Sequence, residues 1–311
     1  RNWLKFNNYS CRFDSFFLLY AFVIYDELKG YKKDDIIKIY NNITEEILSM
    51  ETNKLHQGIW EILKKFQTKE FNITSDGYKQ YYTVVQLIEK LKNNENFCIG
   101  YTKTEGCSTP NCVKMNSKKE FFQPLINFND EYITQYSIDN LLDYLFSPQN
   151  SYCLNCQWDN GKIVKIGNPK YFKTFTDLII PKFMFISFES DLNVVFEVMK
   201  DCNNSKISKS YNDLLLFEKN KNNINKISFI LVDEFKFYDS RYILRGLIAQ
   251  PFSGHYSAFL INVKEDSFLI KKGNSYYYDD RLNNNEIILI ENWRNMIKEN
   301  IPFIALNEKI N

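Results

Sequence analysis

The stretch SCRFDSFFLLYAFVIYDELKG, residues 10–30, places a cysteine directly before a long apolar segment that contains no internal glycine or proline. Gly30 is a natural helix stop, so the segment predicts a helix that carries Cys11 at its N-terminal end. A helix N-terminus lowers the pKa of a thiol, and the thiolate is the nucleophilic form of cysteine. Taken alone, Cys11 favours the usual role of a lone cysteine, which is that of a small buried apolar residue.

A second segment, GHYSAFLI at residues 254–261, carries a histidine at the start of an alternating strand pattern. The chain has two histidines, His56 and His255, so a cysteine that works with a histidine must use one of them. The aromatic segment SYYYDD, residues 275–280, follows, and a hairpin would bring Asp279 beside the imidazole of His255. Cysteine, histidine and aspartate in this order are the parts of a thiol nucleophile, its base and the group that orients the base. Each part alone fits an ordinary packing role, whereas together they favour catalysis.

Four of the cysteines form two close pairs, CSTPNC from Cys107 to Cys112 and CLNC from Cys153 to Cys156. Thiolates in two such pairs are typical of a closed tetrahedral zinc site, which has a structural role. The first pair encloses four residues rather than the commoner two, which leaves a metal-free turn as the alternative. Reduced, metal-binding thiols favour the cytosol or the nucleus.

Composition narrows the function classes. The chain has 311 residues, 44% of them hydrophobic and 16% aromatic, which is enough to bury a large core. Its 39 basic and 38 acidic residues leave a net charge of +1, which gives no global field for nucleic acid or an anionic membrane. The apolar run 16–25 is shorter than the roughly 18 to 20 residues of a membrane-spanning helix. We assign no role to His56, and we expect Cys98 to be a buried strand residue and Cys202 an exposed thiol.

Hydrophobic periodicity predicts an α+β fold in which helices come first and antiparallel strands follow. Helical patterns cover residues 34–40, 45–50, 58–66, 77–91 and 137–146. Strand patterns cover residues 97–101, 162–166, 183–188, 227–232, 242–249, 256–263 and 268–271. Residues 201–226 are rich in Asn, Lys and Ser, which indicates an inserted loop.

Over nearly its whole length the chain resembles the ubiquitin-specific protease family of papain-like cysteine peptidases. Cys11 matches the nucleophile of the family, and Gly254-His255-Tyr256 matches its histidine box. Asp279 matches the third catalytic member and Asp280 a supporting polar residue. The two cysteine pairs are similar to the zinc ribbon of the family's fingers subdomain. The resemblance implies one catalytic domain over residues 1–311, with a helical thumb (1–95), fingers (96–170) and an antiparallel β palm (171–311) that contains the insertion.

The chain also departs from the family pattern. Where the family carries an asparagine that helps to form the oxyanion hole, position 6 is Phe, so Asn7 or Asn8 would supply the amide donor, with no preference between them. The glutamine- and acid-rich box of typical members is not evident, and the 24 residues from His255 to Asp279 indicate an extended hairpin. These departures indicate a divergent branch, nearer to members that act on SUMO.

The resemblance implies a thiol-dependent isopeptidase that cleaves after the C-terminal glycine of ubiquitin or of a ubiquitin-like modifier. Its partners would be the modifier, with SUMO as one candidate, and the conjugates of that modifier, and not nucleic acid or a membrane. Its only implied cofactor is structural Zn²⁺. Two alternatives remain open: a catalytically inactive modifier-binding module, and a papain-like acyl transferase that uses the same three residues.

Overall fold

The computed structural model describes residues 3–4, 10–50, 59–68, 84–92, 94–108, 117–129, 138–151, 158–159, 162–163, 171–189, 231–250, 255–267, 270–279, 286–297 and 301–310. The predicted features at His56, Cys202 and the insertion 201–226 lie outside these residues.

Helices dominate the first third of the described chain. The described α-helices of the whole chain are α1 (Cys11–Leu19), α2 (Tyr25–Leu28), α3 (Asp35–Ser49), α4 (Ile59–Lys65), α5 (Val84–Glu89), α6 (Ile138–Phe146) and α7 (Trp293–Met296). A π-helical turn, Tyr20–Ile24, joins α1 to α2, so residues 11–28 form one continuous helical segment. This confirms the helix that the apolar stretch after Cys11 predicts.

Helix α3 corrects one expectation, because the two helical patterns 34–40 and 45–50 belong to a single helix. The helix begins where the side chain of Asp34 accepts hydrogen bonds from the backbone N–H groups of Ile36 and Ile37. Asn41 and Thr44, two of the polar residues that interrupt the pattern, are buried in the core. Asn41 accepts a hydrogen bond from the Tyr20 hydroxyl at 3.0 Å and donates one to the Leu28 carbonyl at 2.7 Å.

The strands occupy most of the remaining described chain. They are β1 (Ile99–Cys107), β2 (Ser117–Gln123), β3 (Leu125–Asn129), β4 (Gln149–Ser151), β5 (Trp158–Asp159), β6 (Lys162–Ile163), β7 (Tyr171–Ile179), β8 (Phe183–Glu189), β9 (Glu234–Phe237), β10 (Ser240–Gln250), β11 (Ser257–Leu260), β12 (Ser275–Tyr278), β13 (Ile288–Ile290) and β14 (Ile301–Ile310).

The larger sheet has the strand order β13-β12-β11-β10-β14-β8-β3, with β9 paired to β10. Its neighbours are antiparallel except for β3 and β8, which run parallel. A smaller antiparallel sheet has the order β2-β1-β7-β4, and β5 pairs with β6. The architecture is therefore α+β with mainly antiparallel sheets, as the periodicity predicts.

Several strand expectations need correction. Residues 231–232, the described end of the predicted strand 227–232, do not lie in a strand. Cys98 is buried as expected, but it precedes β1 instead of lying within it. Residues 270–271 lie in a connection and not in a strand, while 268–269 are outside the described residues. The strand patterns also did not include β2, β3, β4, β5, β7, β9, β13 or β14. Of these, β14 lies between β10 and β8 in the larger sheet.

The larger sheet is covered on both faces. In β11, Ala258 and Leu260 pack with the apolar residues of α1 to α5, whereas Phe259 packs with those of α6 and α7. This alternation follows from the pleat, which sends successive side chains to opposite faces of a sheet. Helix α1 lies especially close to the sheet at Gly246 of β10, where an added Cβ would lie 2.5 Å from the Cδ2 atom of Leu19. None of the helices in the described part of the chain is long and apolar enough to cross a membrane.

Candidate active site

Cys11 is the first residue of α1 and is buried, with 4% of its surface exposed. Local hydrogen bonds hold the first turn of this helix. The Ser10 hydroxyl donates to Asp14 Oδ2 at 2.5 Å, and the Trp3 indole N–H donates to the Asp14 carbonyl at 3.2 Å. The thiol therefore stands where the backbone N–H groups of a helix N-terminus favour negative charge.

His255 and Asp279 meet at one end of the β11–β12 hairpin. The strands are antiparallel, with Ala258 opposite Tyr278, so the residues just before β11 and just after β12 lie at the same end. His255 Nε2 lies 2.6 Å from Asp279 Oδ1, and both residues are buried, with 3% and 6% of their surfaces exposed. The structure thus brings Asp279 beside the imidazole, as the sequence pattern predicts, while the catalytic role of the pair stays a prediction.

The contact with Asp279 determines which nitrogen of the His255 imidazole carries the proton. A carboxylate accepts hydrogen bonds, so Nε2 of His255 carries the proton that faces Asp279. In the neutral ring, Nδ1 on the opposite side is then the basic nitrogen. An arrangement of this kind can take a proton from a thiol at Nδ1 while the carboxylate stabilises the imidazolium that forms.

Sequence reasoning missed one member of this cluster. The hydroxyl of Tyr277 donates to Asp279 Oδ2 at 3.2 Å, so both carboxylate oxygens are engaged. The available signal was the spacing, because residues two apart in a strand point to the same face of the sheet. Tyr277 therefore fixes the orientation of Asp279 in the same way that Asp279 fixes the ring of His255.

Packing connects the helix that begins at Cys11 with the strand that follows His255. Helix α1 lies against β11, the strand that begins two residues after His255. Tyr256, between His255 and β11, lies within electrostatic range of the first turn of α1. Burial raises the pKa of its phenol, the positive charge of Arg12 lowers that pKa, and the negative charge of a Cys11 thiolate raises it.

The chain ahead of Cys11 is also attached to this hairpin. The hydroxyl of Tyr278, the residue before Asp279, donates to the Leu4 carbonyl at 2.5 Å. Asn7 and Asn8, proposed from the sequence as oxyanion donors, lie outside the described residues, as do Gly254 and Asp280. Their roles stay predictions.

The predicted zinc ligands are described in part. Cys107 is the last residue of β1 and is buried, whereas Cys112, Cys153 and Cys156 lie outside the described residues. Within the part of the chain that the structure describes, no cluster of three or more His, Cys, Asp or Glu side chains could hold a metal ion. The zinc site therefore stays a prediction.

The chain is similar to solved structures, although no known sequence matches it. No protein-family model matches the chain, and no curated protein matches its sequence. The SAGA Ubp8/Sgf11/Sus1/Sgf73 DUB module bound to ubiquitin aldehyde is similar, with a TM-score of 0.54 and 12% identity over 100% of this chain and 69% of that chain. A Ubp8 variant of this module bound to monoubiquitin gives a TM-score of 0.55 and 11% identity, also over 100% and 69%.

The Ubp8-Sgf11-Sgf73-Sus1 SAGA DUB module gives a TM-score of 0.52 and 11% identity over 100% of this chain and 68% of that chain. At identities of 11% to 12%, these likenesses show the fold alone. The chain therefore shares its α+β fold with these DUB-module structures.

Proposed function

We propose that this chain is a thiol isopeptidase that releases ubiquitin or a ubiquitin-like modifier by cleaving after its C-terminal glycine. The observation that carries the proposal is the buried pair of His255 and Asp279, 2.6 Å apart, beside the helix that begins at Cys11. The pair occurs in a fold shared with a deubiquitinase module that was solved with ubiquitin aldehyde. Neither the fold nor the pair would be sufficient support alone.

The proposed mechanism uses Cys11 as the nucleophile, His255 as its base and Asp279 as the group that orients the base. Nδ1 of His255 takes the proton from the Cys11 thiol, and the sulfur attacks the carbonyl carbon of the terminal glycine. The tetrahedral intermediate then expels the amine, which takes the proton back from His255 and leaves a thioester on Cys11. Water, activated by His255, attacks this thioester, and collapse of the second intermediate releases the glycine carboxylate and restores the thiol.

Two kinds of donor would hold the oxyanion in both intermediates. One is the backbone N–H of Cys11 at the start of α1, where the helix dipole also favours negative charge. The other is the side-chain amide of Asn7 or Asn8. Loss of one such donor costs about 10²–10³ in rate in known enzymes. The rates of the single variants Asn7→Ala and Asn8→Ala therefore show which asparagine donates to the oxyanion.

The pairing of strands in the smaller sheet is consistent with a structural zinc site at the end of the sheet where β1 ends and β7 begins. Cys107 of β1 and Ser151 of β4 both pair with Tyr171, one on each side of β7. Cys153 follows Ser151 by two residues in the sequence, and this short spacing from the strand end supports the proposal. We propose that Cys107, Cys112, Cys153 and Cys156 bind Zn²⁺ there, as a closed site without a catalytic role.

The proposal is tested by hydrolysis of C-terminal fluorogenic amides of ubiquitin, SUMO and NEDD8. We expect turnover of at least one substrate by the wild type and none by Cys11→Ala. Cys98→Ala is the matched control, because burial raises the pKa of that thiol to about 11 and keeps it far from the thiolate form. Turnover by Cys11→Ala would disprove the nucleophile. Binding of a modifier without turnover by the wild type would favour an inactive binding module.

A further inference from the structure

A cavity of about 220 Å³ lies where the end of α6 packs against the smaller sheet. Strands β1, β2, β3 and β7 contribute the rest of its described lining, which includes none of the proposed catalytic residues. The apolar residues of α6 belong to one cluster with Phe259 of β11, whereas those of α1 belong to one cluster with Ala258 and Leu260. Since successive side chains of a strand point to opposite faces, the cavity lies on the face of the larger sheet away from Cys11.

Three aromatic rings form one wall of this cavity. The ring of Phe146 of α6 lies edge-on to Tyr101 of β1 and to Phe175 of β7, with the centroids 5.4 Å and 5.8 Å away. The rings of Tyr101 and Phe175 also lie edge-on to each other, at 5.5 Å. Leu125 and Leu145 add aliphatic surface. Rings that pack on one another in this way fix the shape of the wall, which favours an apolar group against it.

Lys173 of β7 places a positive charge in this apolar surface. Among the described residues that line the cavity, it alone is charged. Its Nζ lies 5.0 Å from the centroid of the Phe175 ring, where the face of the ring attracts a cation. The residue opposite it on β1, Glu105, forms an ion pair with Lys103 at 2.6 Å, and Lys173 itself forms no ion pair within the described residues. A ligand carboxylate would supply that partner.

The protein surroundings of Lys173 disfavour its positive charge. Burial lowers the pKa of the amine below its ordinary value of 10.5, the charge of Lys103 lowers it further, and the charge of Glu105 raises it only in part. A carboxylate beside the ammonium would offset both unfavourable effects. Because Lys173 is the one charged residue of the described lining, the cavity matches a single negative charge better than the two of a phosphate.

We propose that this cavity binds a small carboxylic acid with an apolar body, whose carboxylate pairs with Lys173 and whose body packs on the three aromatic rings. The volume is below the roughly 300–1,000 Å³ of pockets for drug-sized ligands, so the body is about one phenyl ring with a short chain. Gln123 lines the cavity and is exposed, so the ligand can enter from solvent on that side. The inference goes beyond the proposed function, because it uses none of the residues of the candidate active site.

The test measures the dissociation constant of 3-phenylpropionate with the full chain by NMR titration of the probe. 3-Phenylpropanol has the same body without the charge, and inorganic phosphate has charge without the body. Each is titrated with the wild type, with Lys173→Met, which removes the charge at similar length, and with Lys173→Arg, which keeps it. Lys118→Met is the matched control. Lys118 is exposed and pairs with Thr104, the residue before Glu105, so it lies on the other face of the smaller sheet.

We expect saturable, millimolar binding of 3-phenylpropionate by the wild type, and at least about fivefold weaker binding of 3-phenylpropanol and of phosphate. Lys173→Met should weaken binding of 3-phenylpropionate by at least about fivefold, while Lys173→Arg and Lys118→Met stay within about twofold. Gln123→Glu keeps the size of an exposed side chain and adds a negative charge, so it should weaken binding about threefold or more. This second variant keeps the test valid if Lys173→Met does not fold.

Absence of saturable binding by the folded wild type would overturn the inference. Equal binding of 3-phenylpropanol would do the same, as would unchanged binding in folded Lys173→Met or in Gln123→Glu. These measurements do not involve turnover of a modifier. A chain that binds 3-phenylpropionate and lacks isopeptidase activity would therefore contradict the proposed function and support this inference.

Discussion

His255 Nε2 lies 2.6 Å from Asp279 Oδ1, so the Asp279 carboxylate determines which nitrogen of the His255 ring carries the proton. Asp279→Asn should keep the hairpin folded but lower kcat by about 10²–10⁴, since an amide can hold the ring in the wrong tautomer and does not stabilise an imidazolium. Asp266→Asn is the matched control. Asp266 is exposed and accepts from the Lys272 backbone N–H in the connection between the same two strands. Equal turnover by Asp279→Asn and the wild type would remove Asp279 from the mechanism.

Among single residues, the sequence predicted that Asp279 lies close to His255, because both residues lie at ends of strands that are joined as a hairpin. The contact of Tyr277 with Asp279 was missed although the spacing of two residues puts both on one face, because a shared face does not by itself show that the hydroxyl reaches the carboxylate. The assignment between Asn7 and Asn8 stays open for another reason. Both residues precede the helix, and no periodicity fixes where their amides point.

Among the elements, α1 packs closely on β10, and this packing would position Cys11, the proposed nucleophile. A Cβ at Gly246 would lie 2.5 Å from Leu19 Cδ2 and 3.0 Å from the Phe259 carbonyl oxygen, so Gly246→Ala must move the Leu19 side chain, and the neighbouring backbone must also give by a few tenths of an ångström. We expect a loss of about 1–3 kcal/mol in the free energy of unfolding and a lower kcat. Denaturant unfolding and fluorogenic turnover measure both.

Gly30→Ala is the control for this substitution. A Cβ at Gly30 meets nothing within 4 Å, so the change should leave turnover intact and leave the stability equal or slightly higher. If Gly246→Ala were as stable and as active as the wild type, close packing of α1 would not be what positions Cys11.

Buried polar residues interrupt the apolar periodicity of some helices and strands, and this hindered the prediction of α3 and β14. Helix α3 was divided because Asn41 and Thr44 fall within it, although both are buried. Strand β14 escaped prediction because Asn307 and Glu308 are buried in the larger sheet. Asn307 pairs with Leu244 of β10, and Glu308 forms an ion pair with Arg245. Only tertiary contacts of this kind make a central strand of such residues stable.

For the whole molecule, an ion-pair network attaches the helical part to the sheet. Glu27 of α2 pairs with Lys182 at 2.5 Å and with Lys264 at 3.0 Å. Lys264 also pairs with Glu308, whose other oxygen accepts from Arg245 Nε at 2.9 Å. Hydrogen bonds from Lys182 and Lys264 hold the pKa of Glu27 below its ordinary value of 4.5. The network therefore contributes stability that depends on pH.

A carboxylate whose folded pKa lies below its unfolded pKa stabilises the fold above the unfolded value and loses that contribution as the pH falls through the folded value. The melting temperature of the wild type should thus fall below about pH 4.5 more steeply than that of Glu27→Gln. Glu61→Gln, on an exposed position of α4, is the matched control and should follow the wild type. Parallel curves for the wild type and Glu27→Gln would show that the network does not stabilise the fold.

The proposed zinc site also acts on the whole molecule, because metal binding contributes directly to the free energy of folding. The purified chain should contain about one equivalent of zinc by elemental analysis, and a strong chelator should lower its melting temperature. Cys112→Ala should reproduce that loss, whereas Cys202→Ala, outside both cysteine pairs, should not. A metal-free protein with a melting temperature insensitive to chelator would favour the metal-free turn.

The central claim is that Cys11 is the nucleophile of a modifier isopeptidase. Its most direct test is the intact mass of the protein after separate reactions with ubiquitin, SUMO and NEDD8 that carry a C-terminal electrophile, followed by peptide mapping of any adduct. We expect an adduct of one modifier per chain with at least one of these probes, mapped to Cys11 and absent from Cys11→Ala. An adduct at another cysteine, or no adduct with ubiquitin, SUMO or NEDD8 probes on the folded protein, would contradict it.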